Sequence, residues 1–250
     1  MDTDVQSFAV AHLRRRPAVV ETGGFVVGID PGTTSPYLNY ATPLPGARPT
    51  ARDVAALVAA FRERGLTPRL EFAPDAAPGV EPALREAGFA TEAVHEYLVC
   101  APDTFTPPPA SAPVAVAPST DAEYAAVDAA LSEAFGGGFA PSAEGAARLR
   151  RVQEGGGAVR FVRAPDGGCA GAATCSAPAE GTAEAAGVGT RPAFRGRGVA
   201  GAVTAAVTGS LLARGARSVW LEYSGEGSRR VYERVGYRPQ GTRLYLILPD

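Results

Sequence analysis

Lysine is absent from this sequence, because all 24 of its basic residues are arginine. The chain therefore has no lysine of its own to acylate. Acidic and basic residues nearly balance, and the formal net charge is -2 at pH 7. Such a chain has no general attraction to nucleic acid or to an anionic membrane. We therefore expect a small-molecule or peptide substrate, and neither nucleic acid nor a membrane as a partner.

Cysteine and histidine are scarce as well. The three cysteines, Cys100, Cys169 and Cys175, lie in apolar runs without C-x-x-C spacing, which predicts buried, reduced thiols in a cytoplasmic protein. The two histidines, His12 and His95, both fall in the first hundred residues. No cluster has the spacing of metal ligands, so we expect no metal and no catalytic histidine.

Long apolar runs are also lacking. The N-terminus begins acidic, and its short apolar stretch is interrupted by three arginines at 14–16. Neither a secretory signal nor a membrane span is apparent. The expected location is the cytoplasm.

Proline, in contrast, is concentrated in one place. The segment Thr104–Pro118 contains five prolines among small residues, a composition typical of an extended tether rather than of a helix or a central strand. We predict a domain boundary here, with a first domain at 1–104, a linker at 105–112 and a second domain at 113–250.

The second predicted domain alternates strands and helices. Thr120 followed by Glu123 is a capping box, which predicts the start of a helix that runs to Phe135. Two short strands that turn at Pro165–Gly168 form a hairpin. The next strand leads directly into an arginine-glycine loop and a long helix. The predicted elements are strand 113–117, helix 120–135, helix 142–153, strands 158–163, 169–176 and 182–190, helix 198–214, strand 217–223, helix 228–235 and strand 242–248.

The first hundred residues repeat the last part of this plan. In each copy an Arg-Gly pair precedes a Leu-Glu-aromatic strand, a short helix, a Gly-aromatic pair and a closing strand, so we infer two copies of one fold. The first copy has no arginine-glycine loop, and Leu84 stands where the second copy has Tyr232. We expect this copy to be structural or substrate-shaping. The matching segments are Arg64-Gly65 and Arg214-Gly215, Leu70–Phe72 and Leu221–Tyr223, and Gly88-Phe89 and Gly236-Tyr237.

The arginine-glycine loop has the chemistry of a diphosphate site. A helix N-terminus offers several N–H donors and the favourable end of the helix dipole. Gly196 and Gly198 remove side chains that would block a close approach, while Arg195 and Arg197 add cationic donors. A plain glycine turn needs no such alternation, and an RNA-binding RGG segment would be repeated and disordered rather than single and placed between a strand and a helix.

The arginine-glycine loop and the last helix resemble those of a known superfamily. From Pro113 onward the chain resembles a GNAT-superfamily N-acetyltransferase: Thr190–Ala200 is similar to the acyl-CoA loop of that superfamily, and Ser228–Tyr237 to its last helix and turn. The resemblance implies an α/β (α+β) fold whose mixed, mostly antiparallel twisted sheet is flanked by helices, with two central strands splayed apart around the pantetheine. Many members carry Asn where Ser228 stands. The implied cofactor-binding residues are Val188, Gly189, Thr190, Arg195, Gly196, Arg197, Gly198, Val199, Ala200, Gly201 and Ser228.

Acyl transfer to an amine requires a neutral nucleophile and a protonated leaving thiolate. The resemblance places Tyr232 where its phenol can donate to the CoA sulfur. Glu184, in the strand that enters the loop, stands where some members carry a general-base glutamate that acts directly or through water. Glu222, in the next strand, is the alternative base or a group that recruits a cationic amine.

The resemblance implies an acetyltransferase that uses acetyl-CoA and acts on a primary amine of a small molecule or peptide. Its variable substrate wall corresponds to Phe135–Pro141. A non-catalytic acyl-CoA sensor or interaction protein on the same scaffold is the alternative. The acceptor, the preference for acetyl or a longer acyl group, and the choice between monomer and homodimer all stay open at the level of sequence.

Overall fold

The computed structural model describes residues 2–249, which form two compact units. One unit contains the chain up to Tyr97 together with the segment from Gln240 onward. The other contains Leu98–Pro239. Each has its own buried apolar core.

The first unit is a sheet with helices packed on it. Its strands pair in the order β1-β2-β3-β4-β11, and only the β3–β4 pair is parallel. Phe25, Leu57, Phe61 and Phe72 are among the residues that fill its core. Its elements are α1 (Asp2–Leu13), β1 (Ala18–Thr22), β2 (Phe25–Ile29), β3 (Tyr40–Pro43), α2 (Ala51–Arg62), β4 (Arg69–Phe72), α3 (Val80–Glu86), the greater part of β5 (Ala90–Cys100) and most of β11 (Arg238–Ile247).

The second unit has the same kind of architecture. Its strands pair in the order β6-β7-β8-β9-β10, and only the β9–β10 pair is parallel. The helix that precedes β10 is apolar nearly all round and packs against β7, β8 and β9. The elements are β6 (Ala115–Val116), α4 (Asp121–Ala134), α5 (Ala143–Glu154), β7 (Ala158–Arg163), β8 (Cys169–Cys175), β9 (Thr182–Thr190), α6 (Val199–Ala213), β10 (Ser218–Glu222) and α7 (Gly225–Val235).

The two units share a pairing pattern, as the inferred repeat requires. β1 to β4 pair antiparallel, antiparallel and then parallel, and β7 to β10 pair in the same sequence. The glycines that end the equivalent helices, Gly65 and Gly215, are both left-handed, as are Gly88 and Gly236. Only glycine adopts this conformation without strain, so the repeat extends to the backbone conformation of the turns.

The closing strand does not stay with the elements that precede it in the chain. β11 pairs with β4 in the first unit, through Leu244 with Phe72 and Leu246 with Leu70. The compact units therefore contain different residues from the predicted domains 1–104 and 113–250. Those boundaries describe the repeat in the sequence, and whether they also delimit folding domains stays a prediction.

Most predicted elements are confirmed. β7 and β9 have the predicted bounds, and the predicted capping box Thr120–Glu123 is formed. Thr50 and Asp53 form a second capping box at the start of α2. α7 begins three residues earlier than predicted, at Gly225, although glycine is a poor helix former. The cysteines are free and buried, as predicted. Burial raises the pKa of Cys100 to about 11 and that of Cys169 to about 12, so both remain thiols.

Candidate functional site

The second unit contains a cavity of about 590 Å³ beside the C-terminal end of β9. Four parts of the chain meet there: the end of α4, the end of β9, the loop with the first turn of α6, and one face of α7. Its lining is Ala134, Phe135, Val188, Gly189, Thr190, Phe194, Arg195, Gly196, Gly198, Val199, Ala200, Gly201, Gly227, Ser228, Val231, Tyr232 and Arg234.

The cavity lies where the parallel strands diverge. β9 and β10 pair only through three positions, which end at Trp220 opposite Glu184. Beyond that point the described residues of β9, from Ala185 to Thr190, pair with β8 alone. This is the splayed arrangement of central strands that the sequence predicts.

A bulge in β9 turns its end toward the cavity. Ala186 lies opposite Thr174 and Gly189 opposite Ala172, so Gly187 and Val188 together face one residue of β8. Gly187 is left-handed, with φ of 59°. An extra residue reverses the alternation of side chains along a strand. Because of this reversal Val188 packs with the core that contains α6 and lines the cavity.

The arginine-glycine loop forms an anion cradle at the start of α6. Gly196 and Gly198 are both left-handed, with φ of 73° and 77°. Gly198 is the N-cap and has no side chain to cap the helix, and the first-turn amides at 199–201 have no acceptor within the helix. The loop therefore presents free N–H donors and the positive end of the helix dipole to the cavity.

The arginines of the loop differ in what they can offer. Arg195 is exposed, lines the cavity and donates to the carbonyls of Thr190 and Ala134. Arg191 is neutralised by Glu133, with 2.7 Å between Nε and Oε2. Arg197, a predicted cofactor ligand, stacks over the Phe194 ring and does not line the cavity.

Two hydroxyl groups in the lining behave differently. The Thr190 hydroxyl oxygen is buried and has no hydrogen-bond partner among the described residues, so it is available to a ligand. The Ser228 hydroxyl donates to the carbonyl oxygens of Ser224, at 2.7 Å, and Gly225, at 2.9 Å. Its proton is therefore used within α7.

Tyr232 has the environment of a proton donor. It is 8% exposed and lines the cavity from α7, with its ring centroid 6.2 Å from that of Tyr237. Burial raises the pKa of the Tyr232 phenol above its ordinary value, because desolvation disfavours the charged form. The hydroxyl is therefore protonated at neutral pH.

The two glutamates lie beside the cavity rather than in its lining. Glu184 occupies the last paired position before β9 and β10 separate, and Glu222 ends β10. Val219 and Leu221 pack in the core with α6, so the alternation of β10 puts Glu222 on the opposite face of the sheet. Glu184 shares that face, since its neighbours Ala183 and Ala185 are in the same core.

Sequence reasoning missed several residues of the lining. Val231 and Arg234 lie on the face of α7 that carries Ser228 and Tyr232, and helical spacing from those two residues was the signal that could have found them. Phe194 lies within the motif itself. Ala134 becomes part of the site only through tertiary packing.

The described residues contain no group of side chains suited to hold a metal ion. Among them there is also no helix with the length and apolarity needed to cross a membrane.

Solved structures with this fold cover the whole chain. A GCN5-related N-acetyltransferase from Kribbella flavida is 25% identical, with a TM-score of 0.82 over 100% of this chain and 96% of that one. A GCN5-related N-acetyltransferase from Sphaerobacter thermophilus is 18% identical, with a TM-score of 0.65 over 100% of this chain and 93% of that one. A tandem GNAT protein from the clavulanic acid biosynthesis pathway is 14% identical, with a TM-score of 0.65 over 100% and 88%. The fold is thus that of the GNAT proteins.

A comparison of the sequence with protein-family models indicates the same family as the fold does. Residues 125–237 match the model of the acetyltransferase (GNAT) family. This region of the chain is therefore similar to the GNAT family, whose general activity is acetyl transfer and whose typical cosubstrate is acetyl-CoA. None of the curated proteins matches the chain in sequence.

Proposed function

We propose that the chain is an N-acetyltransferase that transfers acetyl from acetyl-CoA directly to a primary amine of a small molecule or peptide. One observation carries the proposal: a single cavity is lined both by the free amides at the start of α6 and by the buried, protonated Tyr232. The first feature suits a diphosphate, and the second suits a departing thiolate.

Acetyl-CoA fits the residues of this cavity. The amides at 196–201 and Arg195 would hold the pyrophosphate. The orphan hydroxyl of Thr190 and the diverging strand at Val188 and Gly189 would bind the polar groups of the pantetheine arm. Bound acetyl-CoA supplies the thioester that the amine attacks.

The acid and base candidates lie on opposite faces of the sheet. Tyr232 lies on the face covered by α6 and α7, and its phenol would protonate the thiolate. Glu184 and Glu222 lie on the other face, where either carboxylate, directly or through water, could take the proton from the amine. An amine that enters from their face would meet the thioester at the gap between the strands.

A non-catalytic acyl-CoA sensor is the second candidate, and we include it because neither glutamate lines the cavity. Such a protein would retain the phosphate loop without turnover. We further propose that the protein acts in the cytoplasm, as a monomer or homodimer.

The first experiment tests the phosphate loop by calorimetric titration of acetyl-CoA into wild type, Gly198→Glu and Gly215→Glu. Both glycines are left-handed and flank α6, with φ of 77° and 91°, so both substitutions introduce similar backbone strain. Only Gly198→Glu adds a carboxylate to the anion cradle. It should abolish binding, while Gly215→Glu should retain it. Absence of binding to wild type at millimolar acetyl-CoA would refute the proposal.

The second experiment distinguishes an enzyme from a sensor. Tyr232→Phe and Glu184→Gln should each lower kcat by about tenfold or more with little change in acetyl-CoA affinity. The assay follows release of free thiol with a library of primary amines. A wild-type protein that binds acetyl-CoA and acetylates no member would support the sensor.

A further inference from the structure

The proline-rich segment contacts helices α6 and α7 of the second unit at both of its ends. At one end the Phe105 ring lies against Gly209 of α6, and the Thr106 amide donates to the Val235 carbonyl at 2.9 Å. At the other end the Pro113 ring lies 3.5 Å from the position of a side chain at Gly198. The segment therefore runs along α6 toward the phosphate loop, as a strap rather than a free tether.

A second, smaller cavity of about 170 Å³ lies beneath this strap. Its outer wall is Thr106, Pro107 and Pro108, and its inner walls belong to α6 and α7. Four residues line both this cavity and the larger one, so the two cavities adjoin. The shared residues are Gly198, Gly201, Val231 and Arg234.

The small cavity is shaped for a flat apolar group. Gly201, Ala202 and Ala205 keep the α6 wall low, and two proline rings form the opposite wall. Its volume of about 170 Å³ is roughly six times the ~30 Å³ that one water occupies in the liquid, which leaves room for one ring system and not for a peptide. Because Gly198 and Gly201 line both cavities, a ring bound here would lie at the phosphate-loop end of the larger cavity.

The positively charged side chain of Arg234 lies where the two cavities adjoin. Arg234 is exposed and makes no hydrogen bond or ion pair with any other described residue. Arg229, on the same helix, pairs with Glu233 at 2.8 Å and approaches Glu226. Arg234 is therefore available to an anion that enters with the ring.

We propose that the strap is a wall of the cofactor site, that the cavity beneath it takes the adenine ring of CoA, and that Arg234 binds the 3′-phosphate. The inference rests on the proposed function and adds a role for the segment between the two copies. It makes the strap a determinant of which pantetheine carriers bind: a carrier with a nucleotide end gains contacts that free pantetheine cannot make.

The strap is tested by calorimetric titration of CoA and of pantetheine into Pro107→Gly and Pro109→Gly. Both variants lose a proline ring and gain backbone freedom, but only Pro107 lines the cavity. Pro107→Gly should bind CoA about fivefold more weakly, the effect of losing roughly 40 Å² of apolar contact. Its pantetheine affinity should not change, and Pro109→Gly should behave as wild type. Equal effects of the two variants on CoA would overturn the proposal.

The proposed role of Arg234 is tested by calorimetric titration of CoA and of 3′-dephospho-CoA into wild type, Arg234→Gln and Arg230→Gln. Arg230 is an exposed arginine of the same helix that lines neither cavity. Arg234→Gln should weaken CoA by about tenfold and leave 3′-dephospho-CoA unchanged, and Arg230→Gln should change neither. Equal weakening of both ligands would overturn the assignment. If the wild type binds CoA and the variants bind it equally well, this inference alone is wrong. If the wild type binds no CoA, the proposed function is wrong as well.

Discussion

Gln6 closes the gap between β3 and β4 in the first unit. Its side-chain nitrogen donates to the Thr42 hydroxyl at 2.8 Å and to the Pro43 carbonyl at 2.6 Å, and its oxygen accepts from the Ala73 amide at 3.0 Å. These are the parallel strands equivalent to β9 and β10, which diverge around the cavity in the second unit. One side-chain amide thus satisfies backbone groups beside the strand pair that corresponds, in the second unit, to the pair that borders the cavity.

We expect Gln6→Leu to lower the free energy of unfolding by about 3 kcal/mol. Gln6 is 1% exposed, and the substitution leaves the Ala73 amide and the Pro43 carbonyl buried without the bonds that Gln6 supplies, each at a cost of about 1–3 kcal/mol. The Thr42 hydroxyl keeps its bond to the Glu71 carbonyl. Chemical denaturation measures the change. A loss below 1 kcal/mol would mean that water replaces the amide.

His12 connects the stability of the first unit to pH. It stacks on Phe8 with ring centroids 5.5 Å apart. Burial first, and then the charges of Arg16, Arg15 and Arg243, lower the pKa of His12 from 6.5 to about 4. The folded chain therefore keeps this imidazole neutral at pH values where the unfolded chain binds a proton.

The contribution of His12 is fully present above pH 6.5 and is lost as the pH falls toward 4. The difference between the two pKa values corresponds to ~3 kcal/mol at pH 4. Carboxylates also titrate in acid, so the test compares the unfolding free energy of wild type and His12→Gln from pH 7.5 to 4. As the pH falls from 7.5 to 4, the wild type should lose ~3 kcal/mol more unfolding free energy than His12→Gln. A difference independent of pH would contradict the assignment.

At the scale of elements, β9 shows how one residue builds a site. Before Gly187 its odd-numbered residues Ala183 and Ala185 face α6, and after it the even-numbered Val188 does so. Without the extra residue Val188 would turn away from α6 and Gly189 toward it. The bulge therefore aligns the end of β9 with the loop and with Tyr232.

We expect Gly187→Ala to weaken acetyl-CoA binding, because alanine resists the left-handed conformation that the bulge needs. The strain is about 1–2 kcal/mol. The control is Gly167→Ala in the β7–β8 turn, where φ is 82° and the space around the residue is open. Both variants should lose similar unfolding free energy in denaturant, but only Gly187→Ala should lose affinity in calorimetry. Equal affinities would show that the bulge does not shape the site.

At the scale of the whole molecule, the last strand of the chain belongs to the unit in which the chain begins. β11 contributes Leu244 and Leu246 to the core of the first unit, and Arg243 approaches Glu71 there, with 3.6 Å between charged atoms. A cut at the proline-rich segment would therefore remove a strand from the first unit.

Deletion of residues 240–250 should destabilise the first unit more than the second. Hydrogen exchange should show lost protection in β3 and β4, whose sheet loses its β11 partner, and retained protection in β7 and β8. Leu246→Ala is the milder companion, with an expected cost of 2–5 kcal/mol and the same regional pattern. Equal loss of protection in both units would contradict this division of the chain.

The order of the elements, the resemblance to the GNAT proteins and most residues that line the cavity could be predicted from the sequence. These follow from local signals: capping boxes at Thr50 and Thr120, left-handed glycines at helix ends, and alternating arginine and glycine at the start of α6. The position of Tyr232 followed from its place in the last helix, which is also fixed locally.

The pairing of strands that are distant in the sequence, and the contacts between their side chains, became known from the folded chain alone. Gln6 and Ala73 are 67 residues apart, β11 pairs with β4 in a sheet that contains β1, and the proline-rich segment contacts α6 at both of its ends. Pairing between distant strands depends on which buried faces fit together, and a proline-rich composition looks the same in a free tether and in a packed strap. Local propensity carries no information about either choice, because both are set by contacts that form only when the whole chain has folded.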